Sequence, residues 1–516
     1  MANVTMTTRF SQMKEWPGHL LEADGNETIG NRTATNLTFR FGSGHDFEGY
    51  TVSISGTGFT WNDGEATGGR VQSLVIRNGA GNVIFSVTGI TAGTLGSDLT
   101  QLHSAIFGAA GQTNPDLWSA WNFLMSGNDT ITGTNQDDWN FPPGENGGNN
   151  LYNLLGGNDW TWVGSGRDTI NGGAGDDTIS FIETHYNQGA TATRGAVINV
   201  KTGTIIDPWG STDRFTSIER FEGSRFADQF IGGAGRDRFT GGRGADTING
   251  GGDTDEARYG NDYQRGATLG IIANLQTAVS SGNILGTVRD GFGQTDRLIN
   301  VERVEGTRFN DRFTGSSQNN HFWGGEGLDR FDGKGGYDLL RMERQFNDGV
   351  WMVGIHVDLA LASGQIVNDG FGNTETALNF EGVIGSNQGD LIRGNAVGNL
   401  IEGGLGSDTL TGRGGHDEFS WYSEEEIGDG DVITDFTLNG TGSDVLVFES
   451  DNFSGMTNTV RLVNGPAATI AQGQFVFNAS NDTLYWDPDG TGSRAAIVIA
   501  QLQGVNALTV GDFLLY

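Results

Sequence analysis

Through the middle of the chain an apolar residue returns every nine positions, flanked by polar residues and separated from the next by glycines and an acidic residue. From Gly223 the sequence reads GSRFADQFI, GGAGRDRFT, GGRGADTIN and GGGDTDEAR. From Gly306 it reads GTRFNDRFT, GSSQNNHFW, GGEGLDRFD and GKGGYDLLR, and from Gly385 GSNQGDLIR, GNAVGNLIE, GGLGSDTLT and GRGGHDEFS. An earlier block from Glu145 reads ENGGNNLYN, LLGGNDWTW, VGSGRDTIN and GGAGDDTIS. Two further units, LMSGNDTIT and GTNQDDWNF, begin at Leu124, and Pro142-Pro143-Gly144 then breaks the register. Eighteen units thus share the template Gly-Gly-x-Gly-x-Asp-x-apolar-x. The apolar eighth position predicts the inward anchor of a short strand, and the glycines predict tight turns with positive φ. Two units make one coil of strand, turn, strand, turn. Stacked coils pair their strands at ~4.8 Å.

Stacking also gathers the turn carbonyls with the sixth-position carboxylates, a set of hard oxygens that suits Ca²⁺. In this pattern the blocks resemble the RTX, or hemolysin-type, calcium-binding nonapeptide repeats. The resemblance implies a parallel β-roll, calcium bound through the Asp of each unit and turn oxygens, and export by type I secretion. The matching positions are Asp129, Asp138, Asp159, Asp168 and Asp177, then Asp228, Asp237, Asp246 and Asp255, then Asp311, Asp329 and Asp338, then Asp390, Asp408 and Asp417. Asn150, Asn320 and Asn399 stand at the same place and offer a carbonyl oxygen without charge. The unit GGGDTDEAR carries Asp253 in place of its third Gly and reads as a cap. Two to three ions per block give roughly 8–12 Ca²⁺.

A longer period overlies the first. The blocks at Gly223, Gly306 and Gly385 lie 83 and 79 residues apart. The linkers DPWGSTDRFTSIERFEG, DGFGQTDRLINVERVEG and DGFGNTETALNFEGVIG end at those glycines, and upstream of each comes a strand-like alternation at 196–200, 271–275 and 355–359. They read as further coils or short hairpins on the same solenoid, giving a repeat rod with capping ends.

The expected fold is all-β dominated: a parallel β-roll, or β-solenoid, between two end domains. Residues 1–123 show strand patterns at 36–41, 50–56, 70–78 and 82–90, separated by turn residues. Two helices are expected at 97–109 and 115–125, N-capped by Ser97 and Asn114 and able to bury Trp118, Trp121 and Phe123 on the first coil. The roll is expected over 124–430. Residues 431–516 are strand-rich and close on Asp512-Phe513-Leu514-Leu515-Tyr516. That stretch reads as a β cap and resembles the uncleaved C-terminal signal of type I export. Asp487, Asp489 and Gly490 form a short acidic turn that offers one more cation site.

Composition narrows the function. The formal net charge is −33 and the pI about 4.3. Such a surface argues against nucleic acid and anionic lipid as partners, and it repels itself unless cations neutralise it. About +16 to +24 from calcium offsets much of it. The absence of Cys excludes disulfides and thiolate chemistry. The polar N-terminal stretch lacks the apolar region of a cleaved signal, so the expected N-terminus is unprocessed. No apolar run of transmembrane length occurs. HExxH, GxSxG and the phosphate loop are missing from the sequence. His45 and His103 read as surface or packing residues, while Trp160, Trp162 and Trp209 are candidate sugar platforms.

The reading that follows is a secreted, calcium-folded structural or adhesive component of an extracellular surface layer, matrix or filament. Its expected partners are calcium, the type I secretion machinery, and either copies of itself or cell-surface polysaccharide. The alternative is a secreted carbohydrate-active enzyme of epimerase or lyase type, or a protease-related RTX protein. A toxin fits least well.

Overall fold

The computed structural model describes residues 3–6, 28–32, 36–40, 51–62, 65–77, 83–88, 128, 130–141, 148–182, 192–343, 353–438, 440 and 442–516. The two helices expected before residue 126 lie outside the described residues, as do His45, His103 and Asp129. The chain divides into two compact units, Met1–Asp253 and Thr254–Tyr516.

The first unit begins with an antiparallel meander. Thr28–Arg32, Asn36–Arg40, Thr51–Asn62, Glu65–Arg77 and Val83–Thr88 pair in chain order. Alternation along Thr51–Asn62 turns Val52 and Ile54 inward, and a register shift in its pairing with Glu65–Arg77 lets both Val71 and Leu74 face in; all four are fully buried. Asn3–Met6 closes the meander against Val83–Thr88 and pairs in parallel with Thr130–Thr132, so one strand splices the meander to the first repeat strand.

From there the chain winds as the nonapeptides dictate. Positions seven to nine of each unit form a three-residue strand, and the eighth side chain points in. On one face Thr130–Thr132, Leu151–Asn153 and Thr169–Asn171 pair in parallel. On the other, Trp139–Phe141, Trp160–Trp162, Thr178–Ser180, Arg220–Glu222 and Arg238–Thr240 do the same. Between the faces Tyr152, Ile170, Ile179, Phe221, Phe230 and Phe239 are almost completely buried. Phe221 stacks on Phe239 at 6.0 Å, and Phe230 meets Phe239 at 5.2 Å. Each such anchor contributes roughly 1.5–3 kcal/mol by leaving water.

The linker departs from the coil. Thr212–Thr216 lies parallel to Thr169–Asn171 and takes the next place on the first face. It is also antiparallel to Thr204–Ile206, which is antiparallel to Val197–Asn199, which in turn is parallel to Gln229–Ile231. The linker therefore lays a three-stranded meander on one face where the other face receives only Arg220–Glu222.

The second unit repeats this plan. Its uninterrupted face runs in parallel from Glu256–Arg258 through Arg303–Glu305, His321–Trp323, Leu339–Arg341, Gly382–Ile384, Leu400–Glu402, Glu418–Trp421 and Val445–Phe448 to Phe513–Leu515. The opposite face again carries meanders. Ile272–Ser280 and Asn283–Arg289 make a hairpin followed by Thr295–Ile299, and His356–Asp358 pairs antiparallel with Ile366–Asn368. In both places the first strand of the insert pairs in parallel with a repeat strand 35–40 residues further on, Ile272 with Arg312 and His356 with Leu391. The tail of the chain extends both faces and encloses an aromatic group in which Phe475 contacts Phe448, Trp486 and Phe513 at 4.6–5.0 Å.

Candidate metal centre

Each turn places its sixth-position side chain under the strand it precedes. Every candidate ligand among the described residues is buried. One carboxylate oxygen is committed to the backbone: along both faces sixth-position N–H groups donate to the residue one coil further on. Asp159 N–H donates to Asp177 Oδ1 at 2.9 Å, Asp228 to Asp246 at 2.7 Å, Asp311 to Asp329 at 2.7 Å and Asp390 to Asp408 at 2.7 Å. Asn150, Asn320 and Asn399 donate in the same way to Asp168, Asp338 and Asp417. The result is a ladder of buried carboxylates along each face.

The ladder does not stop at the linkers. Asp168 N–H donates to Asp213 Oδ1, Asp177 to Glu219, Asp255 to Glu302, Asp329 to Glu375 and Asp338 to Glu381. Beyond the last nonapeptide Asp408 and Asp417 donate to Asp431 and Asp444. None of these rungs belongs to a nonapeptide. The signal for them was present in the sequence as an acidic pair six residues apart in each linker: Asp213 and Glu219, Asp296 and Glu302, Glu375 and Glu381.

The second carboxylate oxygen separates the turns into two kinds. In closed turns the N–H of position two donates to it. Ser224 N–H reaches Asp228 Oδ2 at 2.8 Å, Gly233 Asp237 at 2.7 Å, Thr307 Asp311 at 2.6 Å, Ser386 Asp390 at 2.6 Å and Thr134 Asp138 at 2.6 Å. The hydroxyls of Ser224, Thr307 and Ser386 add a further bond each. Asn320 and Asn399 also sit in closed turns. Their Oδ1 atoms accept from Ser316 and Asn395, and their amides donate to the carbonyls of Glu302 and Glu381. Asn thus satisfies itself within the protein.

In open turns position two has positive φ, as at Leu155, Gly173, Gly325, Lys334 and Gly404. The N–H then points elsewhere. Oδ2 of Asp159, Asp177, Asp329, Asp338 and Asp408 is buried with no protein hydrogen bond. Oδ2 of Asp168 is in the same state. A buried, unpaired carboxylate oxygen costs several kcal/mol unless a cation or proton meets it.

The electrostatics mark burial in both kinds of turn, since Asp228 and Asp311 in closed turns are pushed up to about 7 and Asp390 to about 6. Burial pushes the carboxyls of Asp159 and Asp408 up to about 8, Asp168 and Asp338 to about 7, and Asp177 and Asp417 to about 6. Neighbouring carboxylates add to the rise, Asp138 and Asp177 at Asp159 and Asp431 and Asp390 at Asp408. Several basic side chains are engaged elsewhere: Arg220 and Arg238 on Asp176, Arg308 on Glu326, Arg413 on Asp358. Oxygen donors without basic partners fit a hard divalent cation. Among the described residues no three acidic or histidine side chains converge into a cage of their own. Backbone carbonyls of the turns must therefore complete any coordination shell.

Two other sequence candidates resolve differently. Trp162 is buried and packs edge-on against Trp160 at 4.7 Å, so it offers no open ring face. Asp489 Oδ2 caps the N–H groups of Ser493 and Arg494, while one oxygen each of Asp487 and Asp489 has no protein hydrogen bond. Among the described residues no helix is long and apolar enough to cross a membrane.

A family model of the RTX calcium-binding nonapeptide repeat, four copies, matches residues 125–139, 146–181, 222–257, 305–340 and 384–419. A comparison with curated proteins found no match. Among solved structures the chain is similar to the extracellular lipase LipA from Serratia marcescens, at 14% identity and a TM-score of 0.20. That match covers 76% of this chain and 40% of the lipase chain, so the chain spans well under half the length of that protein.

Proposed function

Starting from a chain that is a calcium-binding RTX repeat protein with a parallel β-roll, we propose that it is secreted, folds when it meets calcium outside the cell, and serves there as a structural or adhesive component. Surface layer, matrix and filament subunit are the roles this covers. Type I export through the C-terminal segment belongs to the same proposal, as does binding to copies of itself or to cell-surface polysaccharide.

The observation that carries it is the row of buried open-turn carboxylates whose second oxygen has no protein partner. A chain with net charge −33 that buries so many acids is poorly stable without divalent cations. Millimolar calcium is a feature of extracellular fluids, and weak sites of 10⁻⁴–10⁻³ M are typical of extracellular modules. Fifteen Asp and three Asn candidates, with roughly 8–12 ions, are assigned on this reading to a stabilising rather than a catalytic task.

The test is a calcium titration of chelated full-length protein, followed by far-UV circular dichroism and light scattering together. A cooperative gain of β signal is expected near millimolar calcium, followed by growth of particle size. β signal that forms fully in chelator overturns calcium-driven folding. Folding without any growth, at all concentrations up to tens of micromolar protein, counts against self-assembly and leaves polysaccharide binding as the adhesive role.

A further inference from the structure

The three linkers share a motif that the nonapeptide pattern does not contain: Asp-x-x-Gly-x-Thr-Asp/Glu at 207–213, 290–296 and 369–375. All three lie outside the segments matched as RTX repeats. The last residue of the motif is the ladder rung described above. The first, Asp207, Asp290 or Asp369, is not in the ladder and has no counterpart in a nonapeptide.

Asp207 is fully buried. Its Oδ1 holds the loop, accepting from the N–H groups of Trp209, Gly210 and Ser211 at 3.0, 2.5 and 2.7 Å. Its Oδ2 is buried with no hydrogen bond of good geometry, and the Gly166 backbone N–H, two residues before Asp168, acts on the carboxylate from the repeat below. Oδ2 of Asp213, at 0% exposure, and Oδ2 of Asp168, at 2%, have no protein hydrogen bond, and the Asp168 N–H donates to Asp213. The three carboxylates lie within electrostatic reach of one another, since Asp207 raises both Asp168 and Asp213. No basic side chain is among the groups that act on any of the three. Three buried, mutually repelling carboxylates, each with an oxygen left over, need a cation more acutely than a single rung does.

We propose that the linker loop Asp207–Asp213 is a calcium site distinct from the nonapeptide sites, with Asp207 and Asp213 as its own ligands and Asp168 shared with the repeat below. The oxygens do not form a ready-made cage, so binding draws the Asp207 loop inward and takes carbonyl oxygens from it. Asp290 repeats the loop but not the cluster: it is fully buried, Oδ1 accepts from Phe292 and Gln294, and Oδ2 has no protein hydrogen bond, but the charge of Arg289 acts on it and Tyr259 Oη donates to Asp296 Oδ2 at 3.0 Å. Asp369 departs from it, because Asn373 Nδ2 donates to its Oδ2 at 2.8 Å, and its loop is the weakest of the three sites.

The proposal rests on the calcium reading of the roll, and its test separates the two. Bound calcium is counted by native mass spectrometry on full-length protein, wild type against Asp207→Asn and Asp408→Asn. Asn at 207 keeps the acceptor for the three loop N–H groups and removes the charge. One ion fewer in each variant is the expected result. A full count in D207N beside a reduced count in D408N overturns the linker site alone. A full count in both overturns the calcium reading itself.

A second readout does not depend on D207N folding. The Trp209 N–H donates to Asp207 Oδ1, and its indole is expected to sensitise Tb³⁺ bound there. Trp209→Phe is expected to lower Trp-sensitised Tb³⁺ emission while the calcium count and circular dichroism stay unchanged. Emission equal to wild type overturns the site.

Discussion

The first glycine of a unit leaves room for a carboxylate. A Cβ built on Gly403 lies 2.1 Å from Asp408 Oδ2, and one on Gly324 lies 2.2 Å from Asp329 Oδ2. The clash falls on the atom left for the cation, not on a mobile side-chain tip. Gly403→Ala must therefore push Asp408 out of its turn or open the coil. A loss of about 2–4 kcal/mol is expected in calcium, together with weaker calcium binding, as read by urea denaturation across a calcium series. Gly335 is the control: nothing lies within 4 Å of its Cβ and its φ is ordinary. Gly335→Ala is expected to change stability by less than about 0.5 kcal/mol. Equal losses at the two positions would rule out the carboxylate as the reason for the glycine.

The turn, and not the individual Asp, decides whether a cation is needed. In the closed turns of Asp228, Asp311 and Asp390 backbone N–H groups reach both oxygens, and the chain itself places Asn in two further closed turns, at Asn320 and Asn399. Asp390→Asn is therefore expected to keep the calcium count and to cost less than about 1 kcal/mol, within the range of one exchanged hydrogen bond. Asp338→Asn, in an open turn, is expected to remove one ion. Calcium counting together with thermal denaturation checks both, and loss of an ion from D390N would abolish the distinction. The strands were legible in the sequence because the eighth-position residue, such as Phe230 or Ile401, is a local signal with a period. The division of the turns was not, because it hangs on the φ of position two, which Gly233 and Gly242 adopt differently under the same residue name. The rungs Asp213, Glu219, Glu375 and Glu381 were missed for another reason. Rungs are defined by what stacks in space, and the linkers reach the same places by a meander whose spacing is not nine.

For the molecule as a whole these local shifts add to a pH dependence with an unusual sign. Carboxyls such as Asp159 and Asp408 at about 8, and Asp228 at about 7, are raised above their unfolded values near 4, chiefly by burial. Their contribution is fully present below about pH 4 and is lost as pH rises through the folded values. In chelator the roll is therefore expected to be more stable at pH 5 than at pH 8. In saturating calcium, which binds the ionised form, that loss is expected to disappear or reverse. The residual β signal in chelator at the two pH values, and the denaturation midpoints in calcium, decide it, and more β signal in chelator at pH 8 than at pH 5 would contradict the burial of these acids. The inserted meanders bear on a different property, the order of assembly. Among the described residues Val197–Asn199 has its parallel partner in Gln229–Ile231, and His356–Asp358 in Leu391–Arg393, so the earlier segment pairs with chain that follows it. A chain delivered from one end cannot then add coils one at a time. Each linker must wait for the first repeat strand behind it, and the growth step there becomes the insert plus that strand, 32 residues from Val197 to Gln229 and 40 from Ile272 to Arg312. Nucleation is correspondingly rarer and each completed step harder to undo, which makes folding of this roll a ratchet with few, large teeth.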